Sequence, residues 1–171
     1  MFDIEIHFEC YDITSVLCQD LMHIQQWINN QDFYGEEAIT RPLNFDELNE
    51  RFIEYYMCEN EFFLKIESQN KIIGIFKGRV EFKKPDDVMI WCYILDSELR
   101  GMGIGTEILH QIILFFNEKL GITNFYTGIM EGSYRAIRFW NKNYFNLLRI
   151  SKGFFIKEHT NLDLLVLKRR I

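Results

Sequence analysis

The sequence predicts an α+β fold with one mixed, mostly antiparallel sheet of about seven strands and helices on both faces. Three observations support this class. Strand-like and helix-like segments are intermingled along the chain. Two segments rich in Phe and Ile adjoin each other across a short polar turn, and a later apolar strand runs into a glycine-rich turn and an amphipathic helix. The 171 residues suit a single domain, residues 1–171, because no Pro- or Ser-rich linker divides them.

The first part of the chain predicts one strand and two helices. Residues 2–8 alternate apolar and polar side chains, as a half-buried strand does. Residues 12–15 offer capping side chains for a helix that runs to about Trp27, and Leu17 is expected on its apolar face. Asn44 offers a cap for a second helix, whose outer face is acidic.

The remaining elements follow from periodicity and turn residues. Residues 88–95 are almost entirely apolar, which predicts a central strand covered on both faces. The predicted order is a hairpin over 61–67 and 71–83, the strand over 88–95, a helix over 103–119, a strand over 122–130, a helix over 133–142 and a last antiparallel pair that turns near 159–161.

Composition narrows the function. The net charge of −6 argues against a nucleic-acid-binding protein and suits a cationic ligand, or simply solubility. None of the four cysteines has metal-ligand spacing, so no metal site is predicted. The N-terminus lacks the features of a signal peptide and no apolar run is long enough for a membrane span. We therefore expect a cytoplasmic protein that binds neither nucleic acid nor membrane.

The most informative segment is the glycine-rich turn after the strand at 88–95. Gly101, Gly103 and Gly105 open the following helix, and Arg100 adds a positive charge beside them. A helix start presents unpaired N–H groups, and glycine lets a phosphate approach the backbone, so the segment predicts a bound polyanion. Dinucleotide-binding folds need a different glycine spacing, and a P-loop needs a Gly-Lys-Ser/Thr sequence that is absent.

Two motifs resemble one known family. Residues 100–105, Arg-Gly-Met-Gly-Ile-Gly, resemble the Arg/Gln-x-x-Gly-x-Gly/Ala signature of the GNAT superfamily of N-acetyltransferases. Residues 133–145 are similar to the second motif of that family, Asn-x-x-Ala-x-x-Phe/Leu-Tyr-x-Lys-x-Gly-Phe, at the expected distance from the first. The resemblance implies a GNAT-like fold with acetyl-CoA as the cofactor.

The resemblance also implies how acetyl-CoA binds. The pyrophosphate would lie on the backbone of residues 101–106, and the pantetheine arm would pair with the strand like an added strand. A splay between this strand and 122–130 would admit the arm. The cofactor-binding residues implied are Ile94, Leu95, Asp96, Arg100, Gly101, Met102, Gly103, Ile104, Gly105, Thr106, Ser133 and Asn141.

The second motif departs from the family at three positions. Ser133 replaces the Asn that bonds the pantetheine arm, and Tyr144 replaces a Gly, so the turn there is expected to take another form. Trp140 replaces the Tyr that often protonates the departing thiolate, and an indole N–H cannot supply a proton. Tyr126, Tyr134 and Tyr144 are the possible replacements, and Tyr144 is the candidate acid because it alone lies beside the motif; water is the other proton source.

The remaining catalytic assignments are expectations from position. Asp87, at the start of the strand, is the candidate base, since members similar to histone acetyltransferases carry a glutamate base near this point. The alternative is a solvated turn after Pro85. The acceptor amine is expected between residues 27 and 56. The candidate substrate-binding residues are Trp27, Asp32, Phe33, Tyr34, Glu36 and Glu37, of which the acids have surface solvation as their alternative role.

The expected function is therefore acetyl transfer from acetyl-CoA to a primary amine of a small molecule or protein, by a monomer or homodimer. A non-catalytic CoA-binding module is the first alternative, favoured by Ser133 and Trp140. A nucleotide-binding or purely structural protein is the second.

Overall fold

The computed structural model describes residues 4–30, 42–81, 86–157 and 160–171. The strands there are β1 (Glu5–Phe8), β2 (Tyr11–Ser15), β3 (Glu61–Ser68), β4 (Lys71–Glu81), β5 (Asp87–Leu95), β6 (Asn124–Met130), β7 (Asn146–Lys157) and β8 (Thr160–Arg170). The helices are α1 (Leu21–Asn29), α2 (Phe45–Met57), α3 (Ile104–Leu120) and α4 (Tyr134–Lys142), with short 3₁₀ turns at Cys18–Asp20 and Ser97–Leu99.

The strands of the described residues form one sheet in the order β1-β2-β3-β4-β5-β6-β8-β7. The pair β5–β6 is parallel and each other neighbouring pair is antiparallel. The predicted mixed, mostly antiparallel sheet is therefore confirmed, with eight strands rather than about seven.

Helices cover both faces of the sheet, as predicted. Their apolar side chains divide into two core clusters, one on each face. The α3/α4 cluster includes Ile108, Ile112, Phe116 and Trp140 with Phe62, Val88, Ile90 and Phe125 from the sheet. The α1/α2 cluster includes Leu21, Ile24, Phe52 and Tyr55 with Phe63 and Ile75.

The predicted helix start at 12–15 is wrong, because these residues form β2, the additional strand. The hydroxyl of Ser15 accepts a hydrogen bond from the Ile4 N–H at 3.1 Å, so the expected capping side chain instead ties β2 to the chain before β1. Further on, the Asp20 carboxylate accepts from the Leu17 N–H at 2.8 Å and closes the 3₁₀ turn that precedes α1. Helix α1 begins only at Leu21, and Leu17 is 48% exposed rather than on an apolar face.

The other elements agree closely with the prediction. The side chain of Asn44 caps α2 by accepting from the Asp46 N–H at 2.8 Å. The hairpin β3–β4 turns through Gln69 and Asn70, which have φ values of 52° and 61°, and Asn is among the non-glycine residues that most readily adopt this left-handed conformation. None of the described helices is long and apolar enough to cross a membrane.

Candidate active site

Strand β5 separates from β6 halfway along its length. Their pairing runs from Asp87–Asn124 to Ile90–Thr127 and then stops, although both strands continue. On the other side, β4 pairs Gly78 with Ile90 and Lys77 with Cys92, so Trp91 is an extra residue in a β-bulge. A bulge bends its strand, which accounts for the separation. The predicted splay is thus present in the described residues.

The bulge also corrects the prediction that residues 88–95 are covered on both faces. Trp91 is 47% exposed, and residues 92–95 are only partly buried. Within the described part of the chain these residues pair with β4 alone, which leaves the edge that faces away from β4 available to an extended ligand.

The turn between β5 and α3 has the geometry of an anion site. Gly101 and Gly103 have φ values of 79° and 88°, which favour glycine, and a Cβ added at either would meet nothing within 4 Å. Helix α3 begins at Ile104, directly after Gly103. The N–H groups of Ile104 and Gly105 therefore have no intrahelical acceptor, whereas the Thr106 N–H donates to the Gly103 carbonyl at 2.9 Å.

Gly105 has a different role from the other two glycines. A Cβ added there would lie 3.2 Å from Leu95 Cδ1 and 3.7 Å from the hydroxyl oxygen of Tyr93. The Tyr93 hydroxyl donates to the Gly105 carbonyl at 2.8 Å. Burial raises the pKa of Tyr93 well above its ordinary value, so the hydroxyl stays a donor. This bond fixes the first turn of α3 against β5.

A cavity of about 840 Å³ opens between the end of β5, the start of α3 and helix α4. Four cationic side chains line it, and no carboxylate does so among the described residues. In a chain of net charge −6, this concentration of positive charge marks a polyanion site. The lining residues are Tyr93, Ile94, Leu95, Ser97, Leu99, Arg100, Gly101, Gly103, Gly105, Thr106, Arg135, Ala136, Arg138, Phe139, Trp140 and Lys142.

Sequence reasoning missed part of this lining. Arg135, Arg138 and Lys142 follow one another at helical spacing on α4, a signal that could have been found within the second motif. Tyr93 gave no signal, because a tyrosine in an apolar strand predicts only core packing.

Seven of the predicted cofactor-binding residues line this cavity: Ile94, Leu95, Arg100, Gly101, Gly103, Gly105 and Thr106. The other five do not. The Asp96 N–H donates to the Ile73 carbonyl at 2.8 Å, and Met102 is 67% exposed. Ile104 packs against the α3/α4 cluster, Ser133 precedes α4, and Asn141 is exposed. Their roles stay predictions.

Trp140 and Tyr144 lie in different surroundings. Trp140 is 7% exposed, lines the cavity and packs edge-on against Phe145 with ring centroids 4.7 Å apart. Tyr144 is 74% exposed, lies outside the lining, and has the Arg169 guanidinium 5.7 Å from its ring centroid. Its φ of 65° is the conformation that glycine adopts readily, so the expected change in the form of the turn is not observed.

Asp87 lies at the start of β5, paired with Glu81 and Asn124, and does not line the cavity. Because Val88 and Ile90 belong to the α3/α4 cluster, strand alternation directs Asp87 to the α1/α2 face. Its Oδ1 is buried and has no hydrogen-bond partner among the described residues. The end of the β5–β6 pairing is three residues away, roughly 10 Å along the strand.

The predicted acceptor residues are only partly described. Trp27 packs against the α1/α2 cluster, and its Nε1 is buried without a partner in the described residues. Asp32, Phe33, Tyr34, Glu36 and Glu37 lie outside the described residues.

A second cavity, of about 570 Å³, lies on the α1/α2 face. It is bounded by α2 and the middle of β3 and β4, and no pattern in the sequence indicated it. The lining residues are Ile28, Leu43, Glu47, Leu48, Glu50, Arg51, Phe52, Glu54, Phe63, Ile75 and Lys77.

Comparison with known proteins agrees with this geometry. The family model of the acetyltransferase (GNAT) domain matches residues 13–166. An L-2,4-diaminobutyric acid acetyltransferase from Virgibacillus pantothenticus is 28% identical over 79 residues, or 45% of this chain and 49% of the relative. The matched stretch thus spans about half the length of that curated relative.

Solved structures of low sequence identity share the fold. The ribosomal alpha-N-protein acetyltransferase RimL, in complex with coenzyme A, has a TM-score of 0.82 at 15% identity, with 96% of each chain covered. A chimera of spermidine N-acetyltransferase from Vibrio cholerae and hSSAT has a TM-score of 0.80 at 16% identity, with 95% of this chain and 96% of that chain covered.

Proposed function

Because the chain belongs to the GNAT family of acetyltransferases, we propose that it transfers an acetyl group from acetyl-CoA to a primary amine of a small molecule or protein. One observation carries the proposal. The unpaired edge of β5 leads directly into a glycine-rich helix start, and both border a cavity lined by cations.

The residues present fit CoA. The open approach at Gly101 and Gly103 gives phosphate oxygens access to the N–H groups at the start of α3. Arg100 and the α4 cations Arg138 and Lys142 supply charge for the phosphates. The edge of β5 at Ile94 and Leu95 offers backbone groups to the amides of the pantetheine arm.

Acetyl-CoA supplies the acetyl group as a thioester, so the reaction needs a neutral amine and a proton for the departing sulfur. The chain's own thiol on this strand is a poor nucleophile, because burial raises the pKa of Cys92 to about 11. This supports direct attack by the amine rather than an acetylated cysteine.

Asp87 is the proposed base, acting through water. Its buried Oδ1 has an unused acceptor site, and its side chain is on the α1/α2 face, where the acceptor is expected. We expect Asp87→Asn to lower kcat by roughly 10²-fold, the lower end of general-base contributions, with little change in the KM for acetyl-CoA. An unchanged kcat would show that the amine loses its proton directly to solvent.

The alternative function is a CoA-binding module without catalysis. The observation that favours it is Trp140, which lines the cavity at the position of the family's proton donor. The exposed setting of Tyr144 gives no support to that residue as a replacement, so we propose water as the proton source.

Release of the CoA thiol distinguishes the two functions. Wild-type protein with acetyl-CoA and a panel of amines, including diamines, amino acids and peptide N-termini, is expected to release CoA steadily with at least one amine. Tight CoA binding without release above the hydrolysis background would favour the module.

We also propose a cytoplasmic location, because all four cysteines are free thiols, as is usual in reducing compartments.

A further inference from the structure

Lys77 is a half-buried cation with no carboxylate partner among the described residues. It lies in the middle of β4 and lines the cavity on the α1/α2 face. Its Nζ is 5.5 Å from the ring centroids of both Tyr55 and Phe63, and it forms no ion pair within the described part of the chain. Burial lowers the pKa of Lys77, although Glu61 and Glu54 oppose this from a distance and Arg51 adds to it.

A second lysine of the same sheet shows what a structural ion pair looks like here. The Nζ of Lys65 lies 3.0 Å from Asp20 Oδ1 and 3.1 Å from Glu67 Oε2. Burial opposes the charge of Lys65, but these hydrogen bonds outweigh it and raise the pKa. A charge removed from water is costly unless it is paired. An anionic ligand would therefore supply the ion-pair partner that Lys65 already has and that the described residues do not give Lys77.

We propose that the second cavity is the acceptor site and that Lys77 binds the carboxylate of an acceptor of the amino acid class, one that carries a second, reacting amine. The inference rests on the proposed function, since it names the substrate class of the same enzyme.

The position of Lys77 relative to β5 supports this assignment. Lys77 pairs with Cys92, the first residue beyond the bulge, where β5 has left β6. The backbones of adjacent strands lie about 4.8 Å apart, so the Lys77 backbone is one strand spacing from the open half of β5. In the proposed arrangement the carboxylate stays on Lys77 while the side-chain amine extends towards the open edge.

The rim of the cavity supports the amine part of the ligand. Glu47, Glu50 and Glu54 line it together with Arg51, which pairs with Glu54 at 3.4 Å, and all four side chains are exposed. The carboxylates outnumber the guanidinium, so the opening attracts a cationic amine, and water screens their repulsion of the carboxylate. The half-buried cation and this net acidic rim together suit a ligand that carries both charges.

Matched pairs of acceptors test the inference directly. L-2,4-diaminobutyrate is compared with 1,3-diaminopropane, L-ornithine with 1,4-diaminobutane and L-lysine with 1,5-diaminopentane, so that each pair differs only in the carboxylate. We expect kcat/KM to be at least about tenfold higher for the carboxylate-bearing member of the preferred pair, or about 1.4 kcal/mol.

Lys77→Met keeps most of the side-chain volume and removes the charge. We expect it to reduce the preference to less than about threefold, through a lower kcat/KM for the diamino acid. Lys71→Met, at an exposed position of the same strand, is the control and should keep the preference. Calorimetric binding of the preferred diamino acid to the protein without acetyl-CoA gives a second measurement, in which Lys77→Met should weaken binding by about tenfold.

The outcomes separate the two proposals. Turnover of amines with equal kcat/KM across every pair would overturn the role of Lys77 and leave the acetyltransferase function standing. Absence of turnover with every amine would contradict the function, and binding of the diamino acid would still test the site. If Lys77→Met does not fold, the wild-type comparison of matched pairs decides the question alone.

Discussion

At the scale of single residues, the Tyr93 hydroxyl joins the two halves of the cofactor cavity. It donates to the Gly105 carbonyl at 2.8 Å, which couples the open half of β5 to the first turn of α3. We infer that it is a positioning residue for the helix start. Tyr93→Phe should raise the KM for acetyl-CoA about threefold to tenfold and leave kcat within twofold, because the hydroxyl proton is already donated to the Gly105 carbonyl.

The same substitution should lower the free energy of unfolding by about 1 kcal/mol, the usual value of one hydrogen bond. Urea denaturation measures this change. A loss of stability with an unchanged KM would assign Tyr93 to the core alone.

Substitution of Tyr144 tests which group protonates the departing sulfur of CoA. Its exposed ring lies over Arg169, outside the residues that line the cavity. We therefore expect Tyr144→Phe, which removes only the hydroxyl, to change kcat by less than about twofold. A general acid would be worth roughly 10²–10⁴-fold, so steady-state kinetics distinguish the two results clearly. A fall in kcat of that size would return Tyr144 to the mechanism.

At the scale of elements, the glycines at the two ends of α3 allow the same substitution to be compared at two similar positions. Gly103 precedes the helix and Gly121 follows it, with φ values of 88° and 68°, and both have open space where a Cβ would stand. Glutamate at either position adopts the same strained backbone, but only Gly103→Glu places a carboxylate at the proposed phosphate site.

Gly103→Glu should weaken acetyl-CoA binding at least about tenfold, while Gly121→Glu should leave it within twofold. Thermal melting of both variants without ligand checks that each is folded. Equal affinities in two folded variants would mean that the phosphates bind elsewhere.

These elements also show how far the sequence could predict the fold. The start of α3 was predictable because glycine spacing and helix periodicity are local signals. β2 was not, because Thr14 and Ser15 suit a helix cap as well as a strand, and only the pairing with Lys65 and Leu64 of β3 decides between them. The bulge at Trp91 likewise depends on the register with β4, which no local pattern encodes.

The site was predictable to the same extent. The phosphate-binding backbone of the first motif could be predicted from its glycine spacing. Gly101 and Gly103 have the expected open space for a ligand. The acceptor side depends on which strands meet beneath α2. Lys77 therefore gave no signal, because only the fold brings it beside Tyr55 and Phe63.

At the scale of the whole molecule, β5 separates the two proposed ligands. The cavity for the donor opens on the side of α3 and α4, and the cavity proposed for the acceptor opens on the side of α1 and α2. The separation of β5 from β6 is the place where one ligand can reach the other through the sheet. The proposed acetyl transfer therefore requires acetyl-CoA to occupy that open edge.

Titration calorimetry of the wild-type protein with acetyl-CoA measures this occupancy. We expect one site per chain and, at a ligand concentration of about 100 Kd, stabilisation of the folded state by about 2.7 kcal/mol. Gly103→Glu should reduce the affinity in the same titration, and Gly121→Glu should not. Folded wild-type protein that gives neither binding heat nor a rise in Tm at millimolar acetyl-CoA would contradict the account.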